Sequence, residues 1–270
     1  MSDEISITRQ SSANTKPSAP TFPTEIIDLP SQGRFYPSNS KLSTGQVEVK
    51  LMTAKEEDIL TSPNLLKKGL AVEKLIESLI VDKDIDLDQI LVGDKNALIF
   101  AIRRLAYGDT YGPVEITCPK CSAVNKQNVD LSEINYKEID FDAYPKGVNE
   151  FEYTLPASKL TIKFKLLTAG DEKMIERDIE GFAKLKKESS SEITTRLKYM
   201  ITSINGDTDK AKIKSFIDNN MLARDSSAFR QHAKVFSPDV DSRFNFCCTE
   251  CSNQERVAVP MTVSFFWPNS

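Results

Sequence analysis

The sequence predicts an α+β protein in which helical segments surround a small β module that is split between two distant stretches of the chain. Two observations lead to this fold class. Two Cys-x-x-Cys pairs, Cys118 with Cys121 and Cys248 with Cys251, each follow a run of alternating apolar and polar residues that is typical of a strand. Between the pairs, apolar residues recur at the spacing of amphipathic helices. A large helical insertion therefore separates the two cysteine turns, which we call the first and second knuckles.

The spacing of the cysteines predicts a metal site. One tight turn can direct two thiolates, three positions apart, at the same ion, and two such pairs complete a closed tetrahedral zinc site. We therefore expect Cys118, Cys121, Cys248 and Cys251 to bind a structural zinc ion, with no open position for a catalytic water. Cys247 could replace Cys248, but the Cys-x-x-Cys spacing favours Cys248. The alternatives are four reduced, buried cysteines or a ribbon fold that has lost its metal.

The pattern along the chain predicts four parts. The two knuckles and their flanking strands are expected to form one zinc-ribbon-like module, and the segment between them an inserted subdomain with a β-hairpin and helices. An N-terminal region of strand and helices precedes the module. It follows an arm rich in Ser, Thr, Pro and Asn that is expected to be disordered or to become ordered on a partner. In chain order these are residues 1–24 (arm), 25–112 (strand and helices), 113–131 and 243–268 (module), and 132–242 (insertion).

Composition and charge limit the class of protein. The chain is 40% hydrophobic and 27% charged, as is ordinary for a soluble globular protein. Its net charge of -4 argues against binding nucleic acid mainly through charge. No apolar run approaches the roughly 20 residues that span a bilayer, and the N-terminus shows no apolar signal-peptide core. Cysteines paired as Cys-x-x-Cys, without a wider disulfide framework, favour a reducing cytoplasm.

Local signals place the first elements. Val47–Leu51 alternates apolar and charged residues and predicts a half-buried strand. Thr53 and Glu56 form a capping-box pattern, which predicts the start of a helix. Asp94 is predicted to cap a further helix that ends near Gly108.

In the insertion, Phe151–Leu155 and Leu160–Leu166 predict a β-hairpin. Four helices are expected from Asp171 onward, and the second of them is predicted to include Ile201 and Ile204. Residues 132–150, which precede the hairpin, are acidic and loop-like.

The C-terminal stretch combines strand and aromatic patterns. Val257–Val259 and Thr262–Phe266 are predicted as one or two strands that close the second half of the module. Phe265–Pro268 reads Phe-Phe-Trp-Pro. These rings either cover the core or form a hydrophobic plug for a partner, and the sequence leaves both interpretations open.

Several charged residues are candidates for a functional role. Arg103 and Arg104, near the end of a predicted helix, are expected to be surface charge rather than a phosphate site. Asp239 and Asp241 are expected to mark a polar turn rather than a cation site. The only histidine, His232, has no recognisable nucleophile partner, and the chain has no Gly-rich phosphate loop. No catalytic residue is therefore predicted.

Several motifs follow one another in a recognisable order: Leu29–Pro37 (Leu-Pro-Ser-Gln-Gly-Arg-Phe-Tyr-Pro), Met52–Thr61, Gly93–Ala97, Tyr107–Gly108, the first knuckle, Pro238–Asp241, the second knuckle and Phe265–Pro268. In this order they resemble the T-even-type bacteriophage baseplate protein family, over roughly residues 25–268. The resemblance implies a structural or assembly protein of the baseplate hub of a contractile tail, without enzymatic activity. It implies other tail and hub proteins as partners, with a second copy of the chain as a further candidate. The expected location is the virion tail, or the host cytoplasm during assembly.

A zinc-ribbon protein that binds nucleic acid or acts in transcription is the alternative. It predicts a basic face beside the knuckles. Lys120 and Lys126 are present there, but Glu115, Glu250 and Glu255 offset them. The sequence therefore favours a protein without a nucleic-acid partner.

Overall fold

The computed structural model describes residues 23–185, 191–261 and 263–266. In this part of the chain it shows eight α-helices and five small antiparallel sheets, which confirms the α+β class. The helices are α1 Ala54–Thr61, α2 Pro63–Lys67, α3 Ala71–Leu79, α4 Val92–Tyr107, α5 Ala169–Leu185, α6 Glu192–Met200, α7 Lys210–Asn219 and α8 Ala223–Phe236. The strands are β1 Thr24–Asp28, β2 Gln46–Lys50, β3 Thr110–Thr117, β4 Val124–Asp130, β5 Asn135–Tyr136, β6 Phe151–Thr154, β7 Thr161–Phe164, β8 Ile201–Ile204, β9 Val240–Asp241, β10 Arg243–Cys247 and β11 Gln254–Ala258.

Most strands pair with a neighbour in sequence, but β8 joins β7 across α5 and α6, and β5 pairs with β9 across residues 137–239. β1 pairs with β2, β3 with β4, and β10 with β11, while β6, β7 and β8 form a three-stranded sheet. β5 pairs with β9, so Tyr136 lies opposite Val240. This short ladder brings the two ends of the insertion together, and β10 follows directly after it. The pairing therefore returns the chain to the neighbourhood of β3 and β4.

One hydrophobic core runs through the described residues, from Ile27 to Phe266. An aromatic group within it joins stretches that are far apart in sequence. The ring centroids of Phe35 and Phe151 are 5.2 Å apart, and those of Phe151 and Phe236 are 4.4 Å apart. Tyr144, from the loop-like stretch before the hairpin, packs on Phe236 at 4.5 Å. The N-terminal region and the insertion thus share buried surface.

The capping box is present and does more than begin a helix. The Thr53 backbone N–H and hydroxyl both donate to the Glu56 carboxylate, at 3.1 and 2.6 Å. Glu56 is buried and also accepts hydrogen bonds from Lys50 and Ser78. Burial alone would raise its pKa, but these hydrogen bonds outweigh burial and lower the pKa to about 2. Glu56 therefore ties β2, α1 and α3 together as a carboxylate.

Asp94 is not a helix cap, contrary to the sequence prediction. The helix begins at Val92, and Asp94 lies in its first turn, fully buried. Its carboxylate accepts hydrogen bonds from the Ser31 amide (2.9 Å), the Ser31 hydroxyl (2.6 Å) and the Tyr36 hydroxyl (2.5 Å). The prediction failed because the partners of Asp94 lie some sixty residues earlier in the chain. We call these three residues the Asp94 cluster.

Arg103 is not a surface charge, which corrects a second prediction. Its side chain is 1% exposed and donates to the carbonyls of Phe265 (2.8 Å), Gly108 (3.2 Å) and Thr110 (3.2 Å). Carbonyls at the end of α4 and in the adjoining chain supply enough acceptors for a buried guanidinium group. Arg104 is exposed and pairs with an exposed aspartate, as predicted for a surface residue.

The C-terminal strand prediction is wrong at its second half. Val263–Phe266 forms a short 3-10 turn, and the first predicted strand, Val257–Val259, is present only in part, as the end of β11 at Gln254–Ala258. Phe265 and Phe266 are buried, and Phe265 packs on the ring of Tyr111 at 4.9 Å. Of the two interpretations of the aromatic end, the structure therefore supports the core for Phe265 and Phe266. Residues 262 and 267–268 of the predicted segment lie outside the described residues.

One helix of the insertion is shorter than predicted. The predicted hairpin is present as β6 and β7, but α6 ends at Met200 and Ile201–Ile204 forms β8 beside β7. The run Ile-Thr-Ser-Ile is rich in β-branched residues, which favour strands once a neighbouring strand offers a pairing edge. The predicted arm also lies outside the described residues, except for Pro23 and Thr24. Within the described chain, we find no helix with the length and apolar character needed to cross a bilayer.

Candidate metal centre

The two knuckles have the same backbone geometry. Residues 118–123 connect β3 to β4, and residues 248–253 connect β10 to β11. In the first, the Cys118 amide donates to the Ala123 carbonyl at 2.9 Å, and the Ser122 amide donates to the Cys118 carbonyl at 2.9 Å. In the second, the Cys248 amide donates to the Asn253 carbonyl at 2.9 Å, and the Ser252 amide donates to the Cys248 carbonyl at 3.0 Å. The two turns share only their cysteines and the following serine.

That serine has an uncommon conformation in both turns. Ser122 has φ +61° and Ser252 has φ +52°, in the left-handed region that favours glycine. The reversal at the serine lets the chain return antiparallel while both cysteine side chains of a knuckle point to one side. The geometry follows from the order Cys-x-x-Cys-Ser in each case.

The fold brings all four predicted cysteines together. Their sulfur atoms all lie within 4.8 Å of one another, with 3.7 Å between Cys118 and Cys251 and 3.6 Å between Cys121 and Cys248. A tetrahedral zinc ion with Zn–S bonds of about 2.3 Å requires sulfur separations of about 3.8 Å. The arrangement therefore fits a tetrahedral metal ion bound by thiolates. We call the four cysteines the cysteine centre.

The neighbouring Cys247 does not belong to the cysteine centre. It is exposed, because the side chains of β10 alternate between the two faces of the strand. Cys248, one position later, is 1% exposed and faces the other thiols. The structure thus places the second pair at Cys248 and Cys251.

The thiols differ in their electrostatic surroundings. Hydrogen bonds from the amide N–H groups of Cys251 and Glu250, together with those of the Cys121 and Asn125 side chains, outweigh burial and lower the pKa of Cys248 to about 6. The Ala123 amide favours the Cys121 thiolate, but the neighbouring thiols outweigh it and raise the pKa of Cys121 to about 12. Of these two thiols, Cys248 therefore forms its thiolate at the lower pH. A bound cation would favour the thiolate form at every position of the centre.

Asn125 holds the two knuckles together, and sequence reasoning missed it. It lies in β4, is 4% exposed, and accepts hydrogen bonds at Oδ1 from the Thr249 amide (2.8 Å) and the Thr249 hydroxyl (2.9 Å). Its Nδ2 donates to the Ala123 carbonyl (3.0 Å) and lies 3.6 Å from the Cys248 sulfur. No local pattern marks this residue. An asparagine two positions after a knuckle turn is the only hint that the sequence offers.

The other candidate residues, Asp239, Asp241 and His232, are held by contacts within the fold. Asp239 accepts from the Asn96 amide group, and Asp241 pairs with Arg243 and Arg256. The Arg243 guanidinium contributes most to lowering the pKa of Asp241 to about 2. The predicted polar turn is wrong at Asp241, because Val240–Asp241 pairs with β5 as strand β9. The ring of His232 stacks on Tyr153, with 4.4 Å between the centroids, and burial lowers its pKa.

Fold and site together define a mixed α+β protein in which a four-thiol cluster joins two hairpins that lie far apart in sequence. Residues 24–267 match the family model described as T4 bacteriophage base plate protein, and the chain belongs to that family. The predicted resemblance is thereby confirmed. No curated protein and no solved structure matches the chain.

Proposed function

We propose that the protein is a structural or assembly protein of the base plate hub of a contractile phage tail. It acts through contacts with other tail and hub proteins, in the virion or in the host cytoplasm during assembly, and catalyses no reaction. The match over residues 24–267 carries this proposal, because it covers nearly the whole chain rather than one motif. A single core that joins the N-terminal region to the insertion suits a rigid part of an assembly.

We further propose that Cys118, Cys121, Cys248 and Cys251 bind a structural zinc ion within a zinc-ribbon-like module. The module consists of residues 113–131 and 243–268. The sulfur separations of 3.6 and 3.7 Å support this, since they approach the edges of a zinc–thiolate tetrahedron. Zinc bound by four thiolates adds its binding free energy to folding, on the order of 10 kcal/mol.

The same proposal extends to the parts of the chain. Residues 132–242 form an insertion into the module, residues 25–112 precede it, and residues 1–24 form an arm. The β5–β9 ladder supports the insertion, because it pairs residues near its two ends. In this scheme the cysteine centre and the ladder close the loop of the insertion at two points.

Charge near the knuckles supports protein partners rather than nucleic acid. Lys126 pairs with Glu115 at 3.0 Å on the surface of the first hairpin, so its charge is balanced locally. Phosphate binding needs several uncompensated cations on one face. Tight, salt-sensitive binding of DNA in a gel-shift assay would contradict the proposal.

Two measurements test the proposed function. The first is zinc per purified chain by elemental analysis, with light scattering on the same sample; we expect about one zinc ion for four thiolates. The second is co-expression with the other hub proteins of the same phage, followed by size-exclusion chromatography. A stable complex with a hub protein supports the proposal. The Cys247→Ser chain keeps the cysteine centre, so as a control it should form the same complex. Failure to associate with any hub protein, from a folded chain, would contradict it.

A further inference from the structure

We propose that Asn125 is a positioning residue of the cysteine centre, which fastens the second knuckle to the first hairpin and orients the Cys248 sulfur for metal binding. This inference rests on the proposed metal site. Asn125 does not bind the metal itself: it acts through Thr249 and Cys248.

The Asn125 amide group is fully used by the two knuckles. A primary amide can accept two hydrogen bonds and donate two. Oδ1 accepts both of its hydrogen bonds from Thr249, and Nδ2 is shared between the Ala123 carbonyl and the Cys248 sulfur. Among the described residues, every hydrogen bond of the Asn125 side chain therefore involves a knuckle residue. A buried side chain with this set of partners has a specific place in the centre rather than a general packing role.

The contact to sulfur has a chemical role as well. Four thiolates around a divalent ion leave a net charge of −2 at a site where Cys118 and Cys248 are buried. N–H donors to the sulfurs spread that charge and fix the direction of the sulfur lone pairs, as groups around metal ligands commonly do. Nδ2 of Asn125 is 3.6 Å from the Cys248 sulfur, within the longer range of hydrogen bonds to sulfur.

The second hairpin carries a different residue at the position that is equivalent to Asn125 in the first hairpin. Asn125 lies seven residues after Cys118, and the residue seven after Cys248 is Glu255. The strand pairings match, since Asn125 lies opposite Ile116 and Glu255 lies opposite Phe246. Glu255, however, is exposed and has no hydrogen bond to either knuckle among the described residues. The two hairpins therefore resemble each other in backbone, and only the first carries the residue that holds the other.

The test compares metal binding by wild-type, Asn125→Ala, Asn125→Asp and Glu255→Gln chains. Asn125→Asp keeps the acceptor toward Thr249, replaces the donor toward sulfur, and adds a negative charge. Glu255→Gln changes the equivalent position of the other hairpin. Zinc affinity is measured by competition with a chromophoric chelator. The cobalt-substituted proteins are compared by their sulfur-to-metal charge-transfer absorption, and circular dichroism of each chain at saturating zinc monitors the fold.

We expect both Asn125 variants to bind zinc about 10- to 100-fold more weakly than wild type, and Glu255→Gln to match wild type. We also expect the cobalt absorption of Asn125→Asp to shift, because the contact at Cys248 is changed, which a purely structural role would not cause. If Asn125→Ala is poorly folded, Asn125→Asp decides the matter alone. Wild-type affinity and an unshifted cobalt spectrum in Asn125→Asp would overturn this inference and leave the metal site standing. A wild-type chain that binds neither zinc nor cobalt would overturn the metal site and this inference together.

Discussion

The cysteine centre and the Asp94 cluster both join distant stretches of the chain through buried polar groups, but with opposite chemistry. In the cluster, neutral donors from Ser31 and Tyr36 satisfy one carboxylate, so the chain supplies every partner. In the centre, four thiols crowd together, and their thiolates repel one another unless a cation is present. The cluster is therefore complete in the folded chain alone, whereas the proposed centre makes the fold of its hairpins depend on metal.

The largest expected effect is the loss of one thiolate from the centre. Replacing Cys118 or Cys251 with serine leaves three sulfurs, and we expect loss of zinc together with most of its contribution to folding, on the order of 10 kcal/mol. Thermal unfolding and zinc content of the purified chain measure this effect. Cys247→Ser is the matched control, because Cys247 is exposed beside the centre. A folded Cys251→Ser chain that retains one zinc would contradict a four-thiolate site.

Removal of the carboxylate from the Asp94 cluster should have a smaller effect. Asp94→Ala leaves the Ser31 amide and the Tyr36 hydroxyl buried without their acceptor, and we expect a loss of about 3 kcal/mol of unfolding free energy. Chemical denaturation measures it, with zinc present throughout. The control is Asp109→Ala, which breaks only the exposed pair with Arg104 and should cost less than about 1 kcal/mol. Equal effects of the two variants would show that the cluster does not stabilise the fold.

The contrast between the cysteine centre and the Asp94 cluster explains which of these two sites the sequence could predict. The cysteine centre was predictable because each half is a short motif of one reactive residue type, so that only the meeting of the two halves had to be inferred. The Asp94 cluster depends on Ser31 and Tyr36, which lie 63 and 58 residues away; both belong to the Leu29–Pro37 motif, but nothing in that motif indicates a contact with Asp94. A local rule therefore assigned Asp94 to a helix cap.

Arg103 and β8 show the same limit. Arg103 followed the usual rule for positive charge at a helix end, but the carbonyls that surround it include one 162 residues later. Ile201 fits the apolar spacing of a helix, but residues 201–204 pair with β7 and form a strand instead. Periodicity and capping signals determine which elements form. Long-range partners determine where a charged residue lies and whether a short segment changes type.

The Asp94 carboxylate is expected to titrate differently in the folded and the unfolded chain. Burial raises the pKa of Asp94, which Asp239 raises further, although the hydrogen bonds from Ser31 and Tyr36 oppose the increase. A folded-state pKa above the unfolded value means that the folded chain binds more protons between the two values. The unfolding free energy should therefore fall as pH rises from about 4 through the folded pKa.

Asp94→Asn removes this titration and nearly preserves the shape of the side chain. We expect the variant to lie within about 1–2 kcal/mol of wild type at neutral pH, and the wild type to gain stability relative to it as the pH is lowered toward 4. Urea unfolding of both chains across this pH range, at fixed zinc concentration, gives the difference directly. A difference that is constant with pH would mean that Asp94 titrates alike in both states.

The smallest expected effect tests whether the two knuckles are equivalent. Ser122 and Ser252 both have positive φ, which costs an ordinary residue about 1 kcal/mol or more and glycine almost nothing. Glycine also loses more backbone entropy on folding, so Ser122→Gly should lie within about 1 kcal/mol of wild type. Ser122→Ala keeps the strain and should be less stable than Ser122→Gly by about 1 kcal/mol. If the turns are equivalent, the glycine–alanine difference at position 252, measured by thermal unfolding of the zinc-bound chains, should equal that at 122. Unequal differences would show that the Asn125 contacts, which reach Thr249 and Cys248 in the second turn, make one knuckle more tolerant of strain than the other.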